Sequence, residues 1–106
     1  MLPSLNTLNY QHLLYFWTVA REGSIARATT VLHLTQPTIS AQIKILETAL
    51  GSPLFIRRSR ALVLTETGHL VFQYADEIFR TGRELTDALA RGDGRAPRRL
   101  VVGISD

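Results

Sequence analysis

A mainly helical fold, three helices followed by a β-hairpin and then one long helix, is predicted by three observations. Capping residues precede apolar stripes of helical period at four places: Asn9, Ser24, Thr35 and Thr65. Between Pro53 and Thr65 the apolar pattern shifts to two short β-prone runs. From Glu66 to near Ala90 neither proline nor a turn cluster interrupts the helical pattern.

The elements follow in order. The first eight residues, with Pro3 and short polar side chains, read as a loose leader. Asn9 then caps a helix to about Glu22, and Gly23 ends it in a left-handed conformation. Leu13, Phe16, Trp17 and Ala20, at spacings of three and four, form its buried stripe; at helical spacing these aromatics belong to a core rather than to a stacking platform for single strands. Ser24 caps a second, short helix through Ile25, Ala28, Val31 and Leu32, which ends near His33-Leu34. Thr35 caps a third, from Gln36 to Leu50, with Pro37 in the first turn, where its missing N–H costs nothing, and Gly51 as the stop. Ile39, Ile43, Leu46 and Leu50 are its core face, and Pro37, Ser40, Ala41, Lys44 and Thr48 cluster on the opposite, free face. The runs Leu54–Arg57 and Ala61–Leu64 form a hairpin about an Arg58-Ser59-Arg60 turn. Thr65 caps the long helix, which begins with acidic Glu66, as the helix dipole favours.

With 106 residues the chain holds one small domain and an appendage. It has no cysteine, so disulfides and thiolate metal sites are excluded and a cytoplasmic location is expected. His12, His33 and His69 fall in three different elements without a carboxylate at ligand spacing, so no metal site and no cofactor is expected. The opening residues carry no basic run and no stretch of 18 residues is apolar, so neither a secretory leader nor a membrane partner is expected. The net charge of +3 is unevenly spread. Residues 1–65 carry six basic side chains against two acidic, a net +4, and residues 66–90 carry two against five, a net −3. A basic front suits contact with phosphate, and the acidic middle serves something else.

Two helices joined by a tight turn, the second with a small, polar, singly basic free face, are what a reader of the DNA major groove needs. Ala28 is small enough to let the two pack closely. A following hairpin with Arg57, Arg58 and Arg60 makes this a winged helix-turn-helix, the wing reaching phosphate or minor groove. Double-stranded DNA is the expected partner. Gln36 has the amide geometry to grip adenine, and Lys44 shares the face of Ser40, which favours phosphate contact over an idle solvated charge. The wing arginines also guard a sheet edge. Along the long helix Val71, Tyr74, Ile78, Thr81, Leu85 and Ala88 recur by threes and fours, a heptad seam that a second copy of the chain would cover. A winged helix used for protein contact alone would need neither Lys44 nor the arginines, and no nucleophile–base pair, phosphate loop or metal cluster marks an enzyme.

These residues carry a family resemblance. EGS before the second helix, TQPTIS opening the third, LETALGSPLF into the wing and LTETG opening the long helix together resemble the N-terminal domain of LysR-type transcriptional regulators over residues 9–90. The opening NYQHLLYFWTVAREGS resembles one branch in particular. The resemblance implies that Gln36, Pro37, Thr38 and Ser40 meet the groove, that Arg57 and Arg60 lie on the wing, and that two long helices pair antiparallel in a homodimer, with a tetramer open to a full-length protein. Ala41 stands where many members carry arginine, and Ser59 where a wing glycine is usual, which puts the operator sequence and the shape of the turn in question. The expected organisation is a DNA-binding domain over 1–65, a linker and dimerisation helix over 66–90, and a hinge with a first strand, RRLVVGIS, over 91–106. The resemblance places a small-molecule effector in a further domain to which that strand would belong.

Overall fold

The structure, a computed structural model, describes residues 8–92. The elements are α1 (Tyr10–Glu22), α2 (Ile25–Leu32), α3 (Gln36–Leu50), β1 (Phe55–Arg58), β2 (Ala61–Leu64) and α4 (Glu66–Ala90). The chain divides into two compact units, one ending at Asp76 and the other starting at Glu77.

Each helix of the first unit starts on the side chain that the sequence offers. Asn9 Oδ1 accepts from the amides of Gln11 and His12 at 2.9 and 3.0 Å, and Ser24 Oγ from that of Arg27 at 3.1 Å. Gly23 and Gly51 close α1 and α3 with φ of 85° and 78°, the left-handed region where a Cβ is a steric burden. His33 does the same for α2 at φ 58°, making the tight turn into α3.

The core lies where α1, α2 and α3 pack on one another. Phe16, Ile39, Leu46 and Leu54 are almost wholly withdrawn from solvent, and Ala28 is fully buried, as the close approach of α2 requires. A fully buried side chain of the larger kind stabilises by about 1.5–3 kcal/mol. The core extends to the hairpin through Phe16 and Phe55, whose ring centroids lie 5.2 Å apart. The start of α4 closes it, with Gly68 and Ala75 buried, and Trp17 Nε1 donates to the Asp76 carboxylate at 3.1 Å. The Arg21 guanidinium lies 4.4 Å from the centre of the Trp17 ring.

Several expectations need correction. Ala20 and Leu50, expected in the buried stripes of α1 and α3, are only half-buried, each lying in or next to the last turn of its helix. The wing strand starts at Phe55 rather than Leu54, whose amide turns away to a side chain of α3. The turn is two residues, not three: Arg58 pairs with Ala61, leaving Ser59 and Arg60 at φ 52° and 68°. Positive φ at both central residues is the pattern of a type I′ turn, whose twist matches that of the strands it joins. The leader up to residue 7, and the linker and strand expected beyond Gly92, lie outside the described residues.

In the second unit, none of the residues from 77 to 92 is buried. No helix among the described residues is long and apolar enough to cross a membrane.

Candidate nucleic-acid interface

The free face of α3 is exposed along its length: Gln36, Pro37, Ser40, Ala41, Lys44 and Thr48 all meet solvent. It is held open from behind by Ile39, Ile43 and Leu46, whose burial fixes the rotation of the helix. Thr38 differs from its neighbours. It is half-buried, its amide donates to Thr35 Oγ1 at 3.4 Å, and the two hydroxyls share a hydrogen bond of 2.8 Å. Both polar groups of Thr38 serve the helix cap, so its position fits a part in holding the first turn while Gln36 and Ser40 face outward.

The hairpin brings its arginines beside this face unequally. One depression is lined by Gln36 together with Arg57, Arg60 and the start of α2 from Ser24 to Ala26. A second is lined by Ser40, Ala41, Lys44 and Glu47 together with Phe55 and Leu62 of the wing. Successive strand residues point to opposite faces, so Arg58 stands with Ile56 on the side away from Arg57. Between Ile25 and Leu64 the exposed charges are Arg27, Lys44, Arg57, Arg58 and Arg60, and the single acid there, Glu47, is half-buried. The local field over this face is therefore positive.

Glu47 escaped the sequence reading. Its Oε2 accepts from the amide of Leu54 at 2.7 Å and from that of Phe55 at 3.4 Å, tying the end of α3 to the first residues of the wing. The side of that segment toward α4 is held by Thr65, whose hydroxyl donates to the Pro53 carbonyl at 2.7 Å and whose amide donates to the Leu54 carbonyl at 3.0 Å. Thr65 Oγ1 also accepts from the Gly68 amide at 2.9 Å, the cap expected for the long helix.

On α4 the seam residues are not uniformly free. Tyr74, Ile78 and Leu85 are exposed at 64%, 39% and 60%, and Thr81 is exposed, while Val71 and Ala88 are half-buried. Leu70 and Leu89, exposed at 55% and 61%, were missed by the seam as read, although both fall within its stripe at about 100° per residue.

The geometry, a helix-turn-helix with an arginine-bearing wing, defines a class, and comparison with known proteins gives it a name. The family model for the bacterial regulatory helix-turn-helix protein, lysR family, matches residues 10–69, and the chain belongs to that family. The branch that the opening of α1 resembles is the one containing NhaR. The transcriptional activator protein NhaR of Escherichia coli (strain K12) is 45% identical over 84 residues, which are 79% of this chain and 28% of NhaR. The RuBisCO operon transcriptional regulator of Allochromatium vinosum is 38% identical over 97 residues, 90% of this chain and 32% of that protein. The chain thus spans less than a third of the length of these curated relatives, which are regulators of transcription and not enzymes. Among solved structures, the BenM DNA-binding domain in complex with catB site 1 DNA superposes with a TM-score of 0.71 at 34% identity, covering 79% of this chain and 94% of that one. The CbnR DNA-binding domain in its DNA complex gives 0.66 at 35% identity, covering 80% and 99%.

Proposed function

We propose that this chain is the sequence-specific, double-stranded-DNA-binding end of a LysR-type transcriptional regulator of the NhaR-like branch, acting in the cytoplasm as a homodimer and carrying no catalytic activity of its own. The observation that carries the reading is the exposed, singly basic face of α3 set beside a wing with three exposed arginines. The DNA complexes formed by the BenM and CbnR domains support it. In this reading α3 enters the major groove with Gln36 and Ser40 toward base edges and Pro37 and Thr38 shaping the first turn. Lys44 and Arg57 take phosphates, and Arg58 or Arg60 reaches the neighbouring minor groove. Residues 1–65 are the reading domain, 66–90 the dimerisation helix, and 91–106 lead toward a domain that would take a small-molecule effector.

Base reading and phosphate binding separate by experiment. Gln36→Ala is expected to cost about 1–3 kcal/mol on the preferred site and little on scrambled duplex. Lys44→Ala is expected to weaken both about equally and to flatten log K against log salt by roughly one unit per protomer. Fluorescence anisotropy of labelled operator and scrambled duplex at several salt concentrations reads both. If neither substitution changes binding, α3 is not the reader.

A further inference from the structure

A carboxylate at the margin of a DNA-reading helix is an electrostatic liability, and Glu47 is the only acid between Ile25 and Leu64. It lines the depression that Ser40, Ala41 and Lys44 share with the wing, and it lines a second, outer one with Lys44, Thr48 and Pro53. Its Oε2 is turned onto two backbone amides at the root of the wing, 2.7 Å from Leu54 N and 3.4 Å from Phe55 N. Leu54 is fully buried, so its amide requires an acceptor inside the protein. Three residues beyond Leu54, on the strand that begins at Phe55, stands Arg57.

We propose that Glu47 is a positioning residue that fixes the wing against α3 and so sets the distance between the phosphate held by Arg57 and the bases read by α3. The inference rests on the DNA-binding reading above. The charge of Glu47 is spent on amide dipoles rather than presented to DNA, since charge-assisted hydrogen bonds are among the strongest a backbone amide can make. Thr65 holds the opposite side of the same short segment, through the Pro53 and Leu54 carbonyls, so Glu47 completes a clamp on both sides of the wing root.

A double-mutant cycle tests this with the whole chain and the same labelled duplexes. In the parent, Arg57→Ala and Lys44→Ala should each flatten the salt dependence by about one unit per protomer. In a Glu47→Ala background, Lys44→Ala should keep its full effect while Arg57→Ala should have almost none. Glu47→Gln, which keeps an oxygen that can accept from Leu54, should restore most of the Arg57 effect. Hydrogen exchange supplies a readout that needs no DNA: the Leu54 amide should exchange faster in Glu47→Ala while the amides of α1 keep their protection. If Arg57→Ala loses as much in the Glu47→Ala background as in the parent, the proposal is overturned. It is also overturned if Glu47→Ala and Glu47→Gln both tighten binding to every duplex, because the carboxylate would then act as plain repulsion. A parent that binds no duplex at all would instead sink the DNA-binding reading, and unchanged Leu54 exchange would sink the clamp on its own.

Discussion

The stretch from Tyr10 to Asp76 and the last part of α4, from Glu77 to Ala90, obey different rules. The first buries Phe16, Val19, Ile39, Leu46 and Leu54 almost completely. The second buries nothing, leaves Ile78, Leu85 and Leu89 in water, and is acidic where the first is basic. Most helical stability in proteins comes from packing an apolar face, and this end of α4 buries none of its own. The first region is held by its own core, whereas in the dimer proposed above a second copy would cover the exposed Ile78, Leu85 and Leu89. An isologous pair of α4 helices is the economical solution, because one stripe then covers its own copy.

The sharpest way to break that contrast is to charge the seam. Replacing Ile78 and Leu85 together with aspartate should weaken self-association on the order of ten-thousandfold or more, given four buried side chains lost per dimer at about 1.5–3 kcal/mol each. Sedimentation should show a monomer, while the near-ultraviolet signal of Trp17, held in the first unit, should persist. Sedimentation identical to that of the parent would remove the seam from the account.

Two glycines of one helix carry the comparison further. At Gly68 an added Cβ would fall inside the van der Waals envelope of the Leu54 carbonyl, a backbone atom that cannot swing aside. At Gly82 it would meet nothing within 4 Å. Gly68→Ala should destabilise the first unit by about 1–3 kcal/mol, the cost of overpacking. Gly82→Ala should stabilise the helix by about 0.5–1 kcal/mol, because glycine is a poor helix former. Thermal melts of the two variants should move in opposite directions. A fall in dimer affinity for Gly82→Ala would place a partner backbone against that residue and redraw the seam.

The contrast also explains what could be read in advance. Caps and stops were legible because each is a local contract between one side chain and the backbone beside it: Asn9, Ser24 and Thr35 bond where their positions predict, and α4 runs from Glu66 to Ala90 as expected. The free face of α3 was legible because its period is fixed by the buried isoleucines behind it. Glu47 was not, since a side chain reaching seven residues along the chain to the Leu54 amide leaves no period to detect. Trp17 and Asp76, 59 residues apart, are hidden for the same reason. Leu70 and Leu89 were missed because a single heptad register was imposed on a stripe wide enough for both. Leu50, only half-buried, was overcounted because periodicity marks a face without saying how much of it the end of a helix can bury.

The smallest effect concerns the wing, where the first unit gives up stability locally. Ser59 and Arg60 hold φ of 52° and 68° without being glycine, and each such residue costs about 1–3 kcal/mol unless its surroundings offset it. The turn is kept because the antiparallel pairing of Arg58 with Ala61 leaves only two residues to reverse the chain, and the twist of the strands then demands positive φ at both. Ser59→Gly removes the steric part of this cost and leaves all three wing arginines in place. It should raise the stability of the first unit by about 0.5–1 kcal/mol, with the entropy of the freer unfolded chain taking back part of the gain. Denaturant melts measure that change, and the salt dependence of duplex binding should keep the parent slope because no phosphate contact is touched. If Ser59→Gly instead lowers stability, the left-handed turn is held by its surroundings strongly enough that the side chain of Ser59 was contributing to it. If stability rises but the salt slope falls, the strained turn is what aims Arg58 or Arg60, and the wing would owe its reach to the very residue that departs from the family pattern.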